Sequence, residues 1–493
     1  MEKLRRLKPV ILFHLLLNII VVIFITGASY YHIPLEGFKD TGIYLLHLFV
    51  LQLTVGGILY FLSLNKWLFR ILFSILFLLY CGFSFWAYSQ DLSVTMPLIQ
   101  SVLETKADIA IDVITLPYIL FLVAAILALS FLLKRHQKLQ SSKGFKILVI
   151  PALLCVSLFF VLEQKRPGSL KNRLPYNLAN GFIEYFEKPN LKLKTTIPEL
   201  EFSEDPLKMI FVLGETVRAD HIGLNGYERN TTPLLTSENN IISFNKLYTD
   251  NTYTGASVPQ ILTDQSIESE EGIYTSIYSV AIKAKFKTTW IGNQTLEKSF
   301  YPIVKTNNNI ILIDKYKSEF SFDKELDEAM FLPLDSILPV NKRQLITLHM
   351  IGSHWWYENR YTKEHRKYTP VIDSKYIPSL TKEQIVNSYD NTILYLDYFL
   401  FTLIEKLKKE KDPTVLIYVS DHGEHLGENG KWLHAQSGRA AINPAYFIWF
   451  SKKYKEKYPN RMAQLKAIKN QEMTTDSIYY TLLDLLGVSF LNN

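Results

Sequence analysis

Apolar residues are unevenly spread along this 493-residue chain. Five long apolar runs fall before residue 165: Val10–Gly27, Ile43–Leu64, Trp67–Tyr88, Val113–Leu133 and Ile147–Leu162. A helix needs about 20 residues to cross hydrocarbon, with a working range of about 17–25. Each run meets or nearly meets that length. The pattern therefore predicts a five-helix transmembrane bundle over residues 1–165. The first run carries His14 and Asn18, and the last is short and contains Pro151. A cleavable leader would account only for the first.

Residues 166–205 read as a tether. Lys165, Arg166, Lys171 and Arg173 give way to a mixed aromatic and polar stretch, Tyr176 to Phe186, suited to an interfacial helix or a simple linker. Beyond it, short β-branched apolar runs predict buried strands at Met209–Leu213, Thr288–Ile291, Leu345–Leu348 and Val415–Val419. Helical stretches such as Thr381–Lys408 separate them. Residues 206–493 are thus expected to form an α/β domain around a largely parallel sheet. In such sheets ligands gather beyond the carboxyl ends of the strands.

Charge adds orientation. Lys3, Arg5, Arg6 and Lys8 precede the first run, Lys66 and Arg70 lie in the second connection, and Lys134, Arg135, Lys138, Lys143 and Lys146 lie in the fourth. Basic loops stay in the cytoplasm. An inside N-terminus and five spans would then place everything after residue 165 outside. The net charge of +6 is largely accounted for by these loops and implies no nucleic acid partner. Cys81 and Cys155 both fall in expected spans, so the exported part has no disulfide to rely on.

Candidate chemistry sits at two strand ends. Met209–Leu213 runs into Gly214-Glu215-Thr216, and Val415–Val419 into Ser420-Asp421-His422-Gly423-Glu424. A lone carboxylate there more often caps the next helix. Two carboxylates with an imidazole suit zinc or a similar divalent ion.

Gly214-Glu215-Thr216-Val217-Arg218-Ala219-Asp220-His221 with Leu224-Asn225-Gly226-Tyr227 resembles the signature of bacterial phosphoethanolamine transferases. That family belongs to the alkaline-phosphatase superfamily, sulfatase-like in fold, and includes lipid A-modifying and mobile colistin-resistance enzymes. Ser420 to Glu424 followed by Leu426-Gly427-Glu428-Asn429-Gly430 is similarly characteristic, and the resemblance covers essentially the whole chain. It implies a nucleophilic threonine within a Thr-x-x-Ser-Val-Pro pattern, which Thr254-Gly255-Ala256-Ser257-Val258-Pro259 fits. A helix N-terminus offers amide donors to a phosphoryl group. By itself such a threonine is more often an N-cap, and Thr216 competes for the role.

The same resemblance implies a metal among Glu215, Thr254, Asp421 and His422: zinc in preference to manganese or magnesium, with a second ion left open. His434 and His354 match family histidines near the phosphate or a second metal. Asn293 and His349 are candidates for substrate contact, as are Glu104 and Asp108 in the outward loop, where an acid could pair with an ethanolamine ammonium. Many relatives flank the nucleophile with a disulfide, but Asp250 and Gln260 stand at those positions here. The expected function is transfer of phosphoethanolamine from phosphatidylethanolamine, through a phosphorylated threonine, to lipid A, a core sugar or another glycan. The expected setting is the periplasmic face of a bacterial inner membrane. A phosphoglycerol transferase and a membrane sensor with an inactive domain are the alternatives.

Overall fold

A computed structural model describes residues 2–31, 35, 37–89, 94, 99, 116–139, 148–187, 191–267, 272–314, 324–374, 377, 380–434 and 438–491. The chain divides into two compact units, Met1–Glu187 and Lys188–Asn493.

The first unit is helical throughout: α1 (Glu2–Phe24), α2 (Gly37–Leu64), a π-helical segment Leu68–Phe73 continuing into α3 (Ser74–Ser89), α4 (Leu116–Leu139), α5 (Val149–Lys165) and α6 (Tyr176–Phe186). Among the described residues, three helices are long and apolar enough to cross a membrane: Gly37–Leu64, Leu68–Phe85 and Leu116–Leu139. The other two expected spans fall short of that measure. The apolar stretch of α1 found there is Lys8–Phe24, and α5 has 17 residues ending in Lys165. The expected Tyr176–Phe186 segment does form a helix. Its Leu178 and Gly181 are buried while Ile183 and Phe186 are exposed, which leaves apolar side chains facing outward.

Buried polar side chains link helices of this unit, as burial in apolar surroundings favours. Gln52 donates to Asn18 Oδ1 (2.6 Å) and accepts from Thr26 Oγ1 (3.0 Å), joining α1 to α2. Close packing of α2 on α5 depends on Gly57, where a Cβ would lie 2.8 Å from both the Ala152 carbonyl oxygen and Val156 Cγ2.

The second unit is built on a seven-stranded sheet. Its strands are β1 (Leu207–Gly214), β2 (Ile241–Phe244), β3 (Lys287–Gly292), β4 (Asn309–Leu312), β5 (Arg343–His349), β6 (Thr414–Ser420) and β7 (Tyr446–Phe450). Their order is β2-β7-β6-β1-β5-β3-β4. The five strands from β6 to β4 run parallel, and β7 pairs antiparallel with both β6 and β2. The four strands expected from sequence are β1, β3, β5 and β6. They read as unbroken apolar runs because helices cover both faces: every residue of β1 and β6 is buried. One core contains Met209, Phe211 and Val258, and the other Ile210, Val212 and Leu396. The long helix α8 (Lys382–Leu407) covers the second face. Thr381 opens it with a capping box, its hydroxyl accepting from Gln384 N while the Gln384 side chain returns to Thr381 N.

Register decides what meets at the carboxyl edge. Gly214 pairs with Ser420, Leu213 with His349, and His349 with Gly292. Glu215, Asp421, Met350 and Asn293 therefore emerge side by side. Gly214 is required by close approach, since a Cβ there would lie 2.3 Å from the Tyr418 hydroxyl oxygen and 2.6 Å from its ring. Gly214→Ala is expected to destabilise this unit by about 1–3 kcal/mol through overpacking. Thermal unfolding of the detergent-solubilised chain measures it; an unchanged midpoint would mean that Tyr418 swings aside at no cost.

Candidate metal centre and nucleophile

Glu215, Asp421 and His422 are fully buried, and one ligand atom from each lies within 4.8 Å of the others. Their unused valences converge. His422 Nδ1 faces the Gly423 carbonyl at 2.8 Å. A carbonyl only accepts, so Nδ1 carries the proton and the neutral ring presents the Nε2 lone pair. That lone pair points at Asp421 Oδ2 (3.3 Å) and Glu215 Oε1 (3.4 Å). Three acceptors thus face each other, and neither His422 Nε2 nor Asp421 Oδ2 has a hydrogen-bond partner among the described residues. Burial holds His422 down to about 4, against the pull of Glu215, so the ring itself brings no second proton to this meeting at neutral pH. Burial and the adjacent Glu215 push Asp421 well up, whereas in Glu215 three histidines (422, 354 and 434) outweigh burial and hold the carboxyl low. Carboxylate oxygen and imidazole nitrogen are suitable donors for a borderline divalent ion, and the donor set fits one.

Thr254 joins this cluster as the first residue of α7 (Thr254–Leu262), with its hydroxyl donating to Glu215 Oε2 at 2.9 Å. Glu215 also accepts from Thr216 Oγ1 (2.6 Å, on Oε1) and from Gln294 Nε2 (3.0 Å, on Oε2). Thr216 is turned to the opposite carboxylate oxygen from Thr254, and its backbone N–H donates to Asp421 Oδ1 at 3.1 Å. It holds a φ of 65°, a sparsely populated conformation for a β-branched residue that other contacts must maintain. Tyr389 of α8 supplies one, donating to the Thr216 carbonyl (2.8 Å) and accepting from Arg218 N (2.9 Å). Opposite, Gly352 takes φ +50° and lets its loop reach the Glu215 backbone, whose carbonyl accepts from Ser353 N at 3.0 Å.

The remaining histidines separate. The His434 ring lies 5.0 Å from His422 and 5.4 Å from His354, centroid to centroid. His434 Nδ1 stands 3.5 Å from Glu424 Oε2. Burial opposes protonation of His434, but Glu424 outweighs it and raises the ring, while burial raises Glu424 itself to about 7. His354 donates from Nδ1 to the Trp355 carbonyl (2.6 Å), and burial lowers it to about 3. His349 sits away from this group, between the rings of Trp290 (5.1 Å) and Phe300 (5.7 Å). Asn293 spends its amide on the Glu325 carbonyl and Asp327 Oδ1, both at 2.9 Å. Its neighbour Gln294 reaches the site instead. Glu104 and Asp108 lie outside the described residues.

The Arg218–His221 stretch turns out to be a brace. Arg218 pairs with Asp220 (2.7 Å) and Glu428 (2.6 Å) and donates to the Glu424 carbonyl (3.1 Å), tying the two signature segments together. His221 pairs with Asp390 of α8 at 2.7 Å. Gln260, one of the two positions where the family resemblance implied a cysteine, is buried and accepts from Thr475 Oγ1 at 2.6 Å, so a polar contact pins the helix that begins at Thr254 to a segment 215 residues on. Gln294, Glu424, Tyr389 and Thr475 carried no signal by sequence spacing; only adjacency to the motifs marked Glu424.

With this geometry in place, the chain compares closely with known proteins. Phosphoethanolamine transferase EptA of Escherichia coli K12 is 34% identical over 298 residues, 57% of this chain and 53% of that enzyme. The chain thus spans about half the length of that relative. The solved soluble domain of lipooligosaccharide phosphoethanolamine transferase A from Neisseria meningitidis superposes with a TM-score of 0.55 at 29% identity, covering 61% of this chain and 94% of that one. The integral membrane form of the same Neisseria enzyme covers 97% of this chain and 95% of its own at a TM-score of 0.54 and 23% identity, a likeness of fold. The profile that describes sulfatases matches residues 208–488, which takes in every strand end and site residue described above. The chain belongs to the sulfatase family, with the alkaline-phosphatase-like arrangement of a mostly parallel sheet and acidic residues at its carboxyl edge.

Proposed function

We propose that the chain is a membrane-anchored, metal-dependent transferase that moves phosphoethanolamine from phosphatidylethanolamine to an envelope acceptor such as lipid A, a core sugar or another glycan. The observation that carries this reading is the Thr254 hydroxyl, at a helix N-terminus and 2.9 Å from Glu215, beside a carboxylate–imidazole cluster with unused valences. The relatives that the chain matches are named for phosphoethanolamine transfer.

Glu215, Thr254, Asp421 and His422 would hold the ion, with zinc the best match to the donors. A zinc ion there supplies a Lewis acid that lowers the hydroxyl pKa and offsets charge on the phosphoryl oxygens. The protein groups do the rest. Thr254, oriented by its hydrogen bond to Glu215, gives its proton to water as it attacks phosphorus. The bond from phosphorus to the diacylglycerol oxygen breaks, and that oxygen takes a proton from His434, whose cationic form Glu424 supports. The phosphoethanolamine–threonine formed is then attacked by the acceptor oxygen, which gives its proton to His434, while Thr254 takes a proton from water. His354, neutral and fixed by the Trp355 carbonyl, lines the phosphate side. The amide donors at the start of α7 face the same phosphoryl group.

The setting proposed is a membrane part over residues 1–165 with five spans and an inside N-terminus, a tether over 166–205, and a periplasmic catalytic part over 206–493. The basic connections and the outward-facing Ile183 and Phe186 of α6 support it.

Thr254→Ala is expected to remain folded and lose transfer by several orders of magnitude. Intact mass should show added phosphoethanolamine on the wild type and none on the variant; adduct persisting on the variant would shift the role to Thr216. Chelation is expected to lower the thermal midpoint of the wild type but not of His422→Ala, because binding to the folded state alone stabilises it. Full metal occupancy in Glu215→Ala, Asp421→Ala and His422→Ala alike, by elemental analysis, would remove the proposed site. A reporter fused after residue 205 should be active only when exported, and one near residue 140 only in the cytoplasm; the reverse would overturn the orientation.

A further inference from the structure

Groups from two segments converge on a point beside the nucleophile. Gly255 follows Thr254 and has no side chain. A Cβ placed on it would lie 2.5 Å from Glu297 Oε2, 3.1 Å from Ser299 Oγ and 3.5 Å from Cε2 of the Tyr253 ring. A carboxylate, a hydroxyl and an aromatic ring therefore gather against the side of Gly255 where any other residue would carry its side chain. Tyr253 is 52% exposed and Glu297 is half-buried, so the cluster reaches solvent. The Ser299 hydroxyl has no hydrogen-bond partner among the described residues.

The backbone that carries this carboxylate is fixed. The Glu297 main-chain carbonyl accepts from Phe300 N (3.2 Å) and Tyr301 N (2.9 Å). Three residues earlier, Gln294 donates to Glu215 itself, so this segment is tied to the acid that accepts from Thr254. The charge of Glu297 also acts on His434, after Glu424 and Glu215.

Neither the ligand cluster nor the proton transfers above use Glu297. An anion beside a centre that receives a phosphodiester repels it, and the repulsion is strongest where water is partly excluded. The arrangement becomes favourable when the donor carries its own cation two carbons from the phosphate. A carboxylate with a neighbouring aromatic ring is a recognised combination for an ammonium ion, through charge-assisted hydrogen bonding and the ring quadrupole. We propose that Glu297, with Ser299 and the Tyr253 ring, binds the primary ammonium of the donor headgroup and so selects a zwitterionic phosphoethanolamine donor over an anionic phosphoglycerol one. This rests on the transfer reading above and assigns its headgroup specificity to one cluster.

The test uses the full chain in mixed micelles with three donors: phosphatidylethanolamine, its N-acetyl derivative, which keeps the phosphodiester but loses the cation, and phosphatidylglycerol. Wild type is expected to prefer phosphatidylethanolamine over the N-acetyl donor in kcat/KM. Glu297→Gln is expected to lower kcat/KM for phosphatidylethanolamine by about tenfold or more, the usual loss of one hydrogen bond to a charged group. The loss should fall mainly on KM, and the preference over the other two donors should shrink by the same factor. Glu297→Asp should restore part of it. Tyr253→Leu should show a smaller loss in the same direction. A preference unchanged in Glu297→Gln, with wild type active on phosphatidylethanolamine, would overturn this recognition and leave the transfer reading standing. Wild type active on phosphatidylglycerol and inert on phosphatidylethanolamine would overturn both.

Discussion

Glu215 and Asp421 are brought together by the pairing of β1 with β6, in a place where neither reaches water and where the third neighbour, His422, turns a lone pair toward both. Like charges at that distance in a medium of low polarity repel strongly. Hydrogen bonds relieve part of the conflict: Thr254, Thr216 and Gln294 donate to Glu215, and two backbone N–H groups donate to Asp421 Oδ1. The inner oxygen Asp421 Oδ2 and His422 Nε2 gain nothing from them. Such a cluster needs positive charge, supplied either by protons, as the upward push on Asp421 indicates, or by a cation. The rest of the catalytic unit can be read as what keeps these groups from moving apart.

That restraint comes from both faces of the sheet. Ser420 Oγ accepts from Val217 N (2.7 Å) and donates to the His422 carbonyl (3.0 Å), locking the two strand ends to each other. From the α8 face, Tyr389 grips Thr216 and Arg218, while the Arg218 guanidinium spans to Glu428 in the second signature segment. From the other face, Gln260 and Thr475 fix the helix that begins at Thr254. The strained Thr216 is thus over-determined. Its φ of 65° allows one residue to donate from its backbone to one carboxylate and from its hydroxyl to the other.

Much of this was legible from local pattern. Apolar runs flanked by acids announced the parallel strands and the edge where chemistry would gather, and Thr254 was marked by the pattern around it. What stayed hidden depends on register and on long-range contact. Gln294 reaches Glu215 because β3 pairs with β5, while the more conspicuous Asn293 turns to Asp327. His349 ends a strand as a ligand might, yet its ring lies among Trp290 and Phe300. The Gln260–Thr475 contact joins residues too distant for any periodicity to connect. The membrane part shows the opposite limit. Composition alone marked five apolar runs, and among the described residues three helices carry enough uninterrupted apolar length, α5 stopping at 17 residues.

The charges around Thr254 are asymmetric, and the asymmetry has chemical meaning. The amide donors that begin α7, His434 backed by Glu424, and His354 favour phosphate. Glu297, next to Tyr253 and packed against Gly255, favours a cation. A purely anionic diester would gain from the first set and lose to the second. A zwitterion with its cation close to its phosphate gains from both, provided it binds in one orientation. That orientation turns the headgroup toward Glu297 and leaves the diacylglycerol oxygen as the group that must point away from Thr254. In-line displacement requires that same opposition of nucleophile and leaving group. Headgroup recognition and alignment for attack would then be one constraint, set by where Gly255 leaves room.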